Sequence, residues 1–464
     1  MVAAKYQETK EKGKAEMQKV VAVSLTSDMW TSINMDAYLA VTCHFIDDHD
    51  KLGTVLLGVE IFPNSHTAAN IAQVKTTLME EWGITDKVGC LVTDAAPNMI
   101  ACARNLKIRH AVCIAHNLNL IVRKSFEHTP GLNDMRTKSR KIVAYFRTST
   151  TAKERLTQVQ ERTGRPSLKM IQEVDTRWNS TFHMLDRLYQ QREPVGAALA
   201  SLNTDLTPLT SQDYEAIGEC LRILSPFQQA TVELSEEKWV SGSKVIPLMN
   251  MLQRAVDSEG TNMTTLMAGK LAENLVRRLR DTLSNLESLS VMTMATMLDP
   301  RFRTHGFFSQ SKASEAVMRL KAECATVIRT TAVTPSPSDA PSPPPQPAQA
   351  AGPATTSGTN LWLPLDSLVD QPRTSNATAD ATVEVQRYLR ESNLPRQMDP
   401  LEFWHAQKLA YPHLYQLALR FLCTPASSVP CERVFSKAGE IVSKKTNRLS
   451  PNTVKQLLFL NKNQ

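Results

Sequence analysis

A chain of 464 residues, 42% hydrophobic and 21% charged, carries enough apolar content to bury the cores of two or three domains. Its net charge of +7 permits a nucleic-acid partner without demanding one, so where the charges fall matters more than their sum. Eight cysteines with no CxxC pair among them point to free thiols in a reducing compartment, the Lys- and Glu-rich residues 1–19 exclude a secretory signal there, and no run of about eighteen apolar residues offers a membrane span.

Residues 5–19 predict a charged lead-in helix, and three extended segments follow it in quick succession: Val20–Thr26, Tyr38–Ile46 and Leu52–Phe62. Val and Ile pack well on a pleated surface, and the short separators are turn-like, so these segments form an antiparallel meander. Pro63-Asn64-Ser65 punctuates next. Ser65 caps a helix running to Trp82, with Ile71, Val74, Leu78 and Trp82 as its buried stripe. A fourth strand, Val88–Thr93, ends at Asp94, and Val112-Cys113 is a short fifth. Arg136 to Arg155 reads as one basic helical stretch. From about Ser180 to Ala332 helix follows helix, for example Asp213–Leu234, Val245–Val256, Lys270–Leu289 and Ser314–Ile328. Residues 331–360 are Pro, Ser, Ala, Gly and Thr with almost no charge, a composition that predicts a disordered linker. Order resumes near Thr382, and Ser450-Pro451 starts a final helix with an apolar face.

Asp28 follows the first strand and Asp94 the fourth. If those strands pair side by side, both carboxylates emerge at one sheet end, where open α/β sheets place their chemistry. Two such carboxylates suit Mg²⁺ or Mn²⁺ and phosphoryl transfer, and sites of this kind want a third acid. Glu432, early in a helix that ends near Gly439, is the candidate; a first-turn Glu favoured by the helix dipole is the plain alternative. Cys113 and His116 lie near His110 and Cys102, but four ligands at structural zinc spacing are not evident, so no structural zinc is expected. The basic runs 136–155 and 437–448 suit phosphates, with a solvated helix face as the default.

The residues also resemble a family. DPLEFWHAQKLAYPHLYQLALRFLCTPASSVPCERVFSKAGEIVSKKTNRLSPNTVKQLLFLNKN at 399–463 is similar to the C-terminal dimerisation region of hAT-superfamily DNA transposases. SLTSDMWTS (24–32), VTDAAPNM (92–99), CIAH (113–116), DTRWNST (175–181) and ATMLDPRF (295–302) agree with the branch from which BED-finger proteins derive. The resemblance implies an α/β fold: an RNase H-like mixed five-stranded sheet interrupted by a large all-helical insertion and completed by C-terminal helices. The expected division is a lead-in helix at 1–19, the first part of the core at 20–150, the insertion at 151–330, the linker at 331–360, a helical connection at 361–398 and the dimerisation region at 399–464.

By the same resemblance Asp28, Asp94 and Glu432 form the catalytic, metal-binding triad, with Mg²⁺ or Mn²⁺ as cofactor. Cys113, His116, Arg177 and Trp178 engage DNA, the Trp by stacking on an extruded base; the alternatives are a Trp178 that anchors the insertion to the core and a His116 that is a satisfied, partly buried helix residue. Where the family usually has Asn after the second Asp this chain has Ala95, and where it usually has Ser this chain has Cys431. No Cys/His-rich finger precedes residue 20. Phe403, Trp404, Tyr411, Leu414, Phe421, Leu457 and Leu458 are expected to feed a dimer interface, unless the helical insertion covers them within one chain. The reading is a nuclear, homo-oligomeric, DNA-binding transposase or close derivative with no membrane or small-molecule partner. The alternative is a domesticated, non-catalytic dimeric regulator of DNA or chromatin.

Overall fold

The computed structural model describes residues 2–31, 35–62, 65–333, 376–441 and 449–463. A sheet in the order β3-β2-β1-β4-β5 forms its centre, built from β1 (Val23–Thr31), β2 (Ala37–Ile46), β3 (Leu52–Ile61), β4 (Val88–Thr93) and β5 (Arg109–Val112). β1, β2 and β3 are the expected meander, and β4 and β5 run parallel to β1. The order follows from the chain. A hairpin can join antiparallel neighbours, but return to β1 in parallel needs a crossover, here helix α2 (Ala68–Glu81).

Several local expectations shift. β1 runs past Thr26 to Thr31, because β2 pairs with it all the way to Thr31↔Ala37; Asp28 therefore sits inside the strand opposite Ala40 rather than beyond its end. Thr67, not Ser65, caps α2 by accepting from the Asn70 N–H. Of that helix's expected stripe Ile71, Leu78 and the adjoining Trp82 are buried, whereas Val74 is only half-buried and Lys75 takes a buried place. The basic stretch 136–155 is two helices, α5 (Leu132–Thr148) and α6 (Thr150–Arg162), broken where Ser149 turns extended and accepts from the Ala152 N–H. The fifth strand ends at Val112, and Cys113 instead caps α4 (Ile114–Glu127).

Helix α1 (Val2–Lys19), α2 and α3 (Pro97–Asn105) cover one sheet face, with Leu25, Leu39, Val41, Leu57 and Leu91 beneath them. Val92 and Ala111 on the opposite face join the core of the helices beyond α4. These are α5, α6, α7 (Trp178–Gln190), α8 (Arg192–Ala200), α9 (Ser211–Leu234), α10 (Val245–Gly260), α11 (Leu266–Leu286), α12 (Ser290–Leu298) and α13 (Gln310–Val333). The expected linker contributes its first three residues to the end of α13, and the rest of it lies outside the described residues. The chain is described again from Asn376 through α14 (Ala377–Arg390), α15 (Pro400–Gln407), α16 (Pro412–Leu422), α17 (Val429–Ile441) and α18 (Pro451–Asn463).

The motif at 299–303 ties the insertion to these last helices. Asp299, fully buried, accepts from Ser243 Oγ at 2.6 Å and from Arg301 Nη2 at 2.6 Å. Leu394 N–H donates to Pro300, Tyr388 Oη to Met297 and Trp404 Nε1 to Leu298. This packing corrects the expected dimer face. Trp404, Tyr411, Leu414, Phe421 and Leu458 are at most 2% exposed inside one chain, and Phe403 and Leu457 are half-buried. The insertion covers four of the five buried side chains, and Leu458 packs on β3 and α17.

α17 lies on the sheet face bearing Ala40 and Val59, seated through Cys431, Val434, Phe435 and Ala438. α18 lies along β3. Near its end Asn463 takes the Leu56 N–H on Oδ1 at 2.8 Å and gives Nδ2–H to the Leu56 carbonyl at 3.0 Å.

Candidate active site

The pairing Thr26↔Val92 between parallel β1 and β4 puts Asp28 and Asp94, each two residues further on, at the same end of the sheet. Asp28 is half-buried, and its Oδ1 accepts the Met29 N–H at 2.9 Å. Asp94 begins the turn into α3 and accepts the Ala96 N–H at 3.2 Å. Glu432 comes from the first turn of α17, where a carboxylate favours the helix dipole.

The charges of Glu432 and Asp94 both reach Asp28. Burial first, and then these two carboxylates, push the Asp28 pKa up to about 7, against the Met29 N–H and the cation of Lys75, which pull it down. A carboxyl poised near neutrality by burial and like charge is the signature of a functional site. Among the described residues no three His, Cys, Asp or Glu side chains are gathered closely enough to hold a metal ion as they stand.

Glu432 is placed by contacts from distant segments. The loop before α17 is held to β1 by Ser24 Oγ and Thr424 Oγ1 at 2.9 Å, and to α4 by Ile114 N–H to the Ala426 carbonyl at 3.0 Å. Ser428 N–H donates to the buried Cys113 thiol at 3.3 Å. Gly242 N–H donates to the Thr424 carbonyl at 3.2 Å, so close that a Cβ on Gly242 would lie 2.3 Å from that oxygen.

Arg177 is exposed, and its guanidinium stands 3.9 Å from the Glu432 carboxylate. Its loop is clamped from two sides. Asn119 accepts the Trp178 N–H and donates to the Thr176 carbonyl. Arg136 and Arg140 each reach both Glu173 and Asp175, at 2.5–2.8 Å.

Trp178 is not presented to a base. It is 1% exposed, packed edge-on against Phe182 and Phe227, and its Nε1–H has no partner. Cys113 serves the α17 loop rather than solvent, and His116 is half-buried on α4. The structure thus sets Glu432 and Asp94 within electrostatic reach of Asp28, stands Arg177 beside Glu432 and turns Trp178 inward.

Lys75 was not legible as a site residue. It is fully buried, its ammonium among the described residues meets the sulfurs of Met99 at 3.7 Å and Cys102 at 3.9 Å, and burial lowers its pKa. The available signal was its spacing: Lys75 lies four residues after Ile71 and three before Leu78, on the buried side of α2.

A mixed five-stranded sheet in this order, with one carboxylate on its central strand, one after the adjacent parallel strand and a third on a C-terminal helix, is an RNase H-like core. Residues 26–119 match the ZBED1 RNase-like domain, residues 111–222 the ZBED1 RNase-like helical domain, and residues 384–464 the hAT family C-terminal dimerisation region. Across 26–222 and 384–464 the chain is thus similar to hAT-family transposases and BED-finger-type, transposase-derived proteins. It is 29% identical to human zinc finger BED domain-containing protein 4 over 95% of its own length and 37% of that protein's. It is 25% identical to the putative transcriptional regulator tpeD of Talaromyces stipitatus, covering 97% of this chain and 55% of the relative. Against the putative AC transposase of Zea mays the figures are 24%, 98% and 58%. The chain thus spans between about a third and three fifths of the length of these relatives.

Proposed function

We propose that this chain is the core of a nuclear hAT-type protein that binds DNA, self-associates through its C-terminal region, and carries a metal-dependent centre for DNA cleavage and strand transfer. The observation that supports this best is Asp28, raised to about 7 by its burial and by Glu432 and Asp94. Two further carboxylates acting on a buried Asp28 suit a divalent cation, and three hard oxygen donors are the right set for Mg²⁺ or Mn²⁺. Asp28, Asp94 and Glu432 would hold the ion, and bound there it would supply Lewis acidity toward a phosphodiester. Arg177, exposed and loosely paired with Glu432, is free to take a phosphate oxygen, since a surface pair at that distance stabilises little. The test is cleavage of duplexes carrying candidate element ends in Mg²⁺ or Mn²⁺. Nicking by the native chain that is lost in Asp94→Asn supports the reading; no nicking by either excludes it.

A second reading, a non-catalytic dimeric DNA- or chromatin-binding regulator, is favoured by one observation, the burial of Trp178 away from any base. The name of the tpeD relative, a putative transcriptional regulator, is in line with it. Specific DNA binding without cleavage in the same assay selects this reading. Light scattering tests the self-association that the match at 384–464 supports: a monodisperse monomer at micromolar concentration rules it out.

A further inference from the structure

Away from the carboxylates, α5, α6 and the segment at 167–170 enclose a pocket of about 240 Å³. Three cations line it, Arg147, Lys153 and Lys169, and no Asp or Glu does. All three are exposed, and among the described residues none is in an ion pair. The other surface pockets differ: the one beside Trp239 mixes Glu236 and Glu237 with Lys238, Arg433 and Lys462, and Glu237 neutralises Arg433 and Lys462 directly. The floor of the basic pocket is fixed, because Arg147 Nη1 donates to the Met170 carbonyl at 3.1 Å and the buried Gln160 donates to the Leu168 carbonyl at 3.1 Å.

Its position relates it to the candidate active site. Arg136, Arg140 and Arg147 share one side of α5, being four and eleven residues apart. The first two grip the loop that carries Arg177, and the third opens the pocket.

We propose that this pocket is a second DNA-backbone site, which takes phosphates of the duplex away from the cleavage centre. The proposal rests on the DNA-binding reading above. Lys153 and Lys169 act there as point charges and Arg147 as a fork; such contacts fix register without reading sequence.

Fluorescence anisotropy of a 30-base-pair duplex of arbitrary sequence, titrated at a series of KCl concentrations, tests it. Lys153→Gln/Lys169→Gln removes two phosphate contacts and should make the log–log salt slope shallower by about 1.8. Lys270→Gln/Lys312→Gln removes the same charge from lysines elsewhere, paired with Glu273 and Glu315, and should leave the slope near that of the native chain. Equal slopes for the two double variants overturn the pocket while leaving the DNA reading standing. No binding by the native chain overturns the DNA reading and with it this ligand. Saturable calorimetric binding of inorganic phosphate, lost in the Lys153→Gln/Lys169→Gln variant, with the salt slope unmoved, would assign the pocket to a small phosphate ligand and overturn the proposal.

Discussion

The hydroxyl of Thr26 and the thiol of Cys431 lie 3.3 Å apart, although 405 positions separate them in the chain. The same sulfur lies 3.2 Å from Thr42 Oγ1, so one buried thiol seats α17, and with it Glu432, on β1 and β2. Cys431→Ser keeps a hydroxyl for both threonines and should change stability by less than about 1 kcal/mol. Cys431→Val leaves two buried hydroxyls without that partner and should cost about 1–3 kcal/mol in urea unfolding. Equal losses for the two variants would show that volume, not hydrogen bonding, sets this contact.

Thr26 also contacts His44 Nε2 at 3.1 Å, and His44 Nδ1 lies 3.2 Å from Thr54 Oγ1. Burial lowers the His44 pKa from 6.5 to about 4. The unfolded chain therefore takes up a proton near pH 6.5 that the folded chain refuses until about pH 4. His44 thus withdraws stability as pH falls through that window, by up to about 3 kcal/mol, with nothing further below it. His44→Gln, which does not titrate, should lose less of its urea midpoint between pH 7 and 4.5 than the native chain; parallel profiles would contradict this.

Gly242 is required by approach, not by backbone angle. Gly242→Ala drives a methyl into the Thr424 carbonyl, and overpacking of this kind costs about 1–3 kcal/mol. Because the loop displaced leads to Glu432, any cleavage activity should fall further than a surface Gly196→Ala control, whose Cβ meets nothing within 4 Å. Equal melting temperatures for the two variants would refute the argument.

The insertion and the last helices should remain one body without residues 334–375. Arg301, held by Asp299, reaches the Met398 carbonyl, and Tyr388 and Trp404 reach back to Met297 and Leu298. Replacing 334–375 by a short Gly/Ser linker should leave the melting temperature within a few degrees. Asp299→Asn in the same background strips the charge from a pair whose members are 0% and 6% exposed, and should cost about 3–5 kcal/mol. A two-step melt of the shortened chain would show that the tie is insufficient.

Much of the fold was legible because β-branched runs and turn residues are local signals: the meander, β4 and the long helices all stand close to where the sequence puts them. Boundaries moved where a neighbour decides them, as when β2 drew β1 out past Asp28. Asp28 and Asp94 fall at one sheet end once β4 is paired with β1, a pairing the sequence offered as a condition and the register supplies. Two features stayed open between alternatives. Trp178 turns inward because Phe182 and Phe227 offer it a pocket that no local pattern records. The C-terminal aromatics are apolar enough for an interface, but apolarity does not say whether the partner is another chain or the insertion of the same one.

The two hydrogen bonds from Asn463 to Leu56 occupy the outer edge of β3, where an open row of amides would recruit a foreign strand. The residues in question are 407 positions apart. At 5–20 residues per second, a ribosome finishes β3 roughly 20–80 s before it supplies the helix that seals it. Throughout that interval the edge of β3 is open to pairing with other chains. A stop codon just before α18 would make that interval permanent, so such a product should collect in inclusion bodies even with Asp28, Asp94 and Glu432 all present.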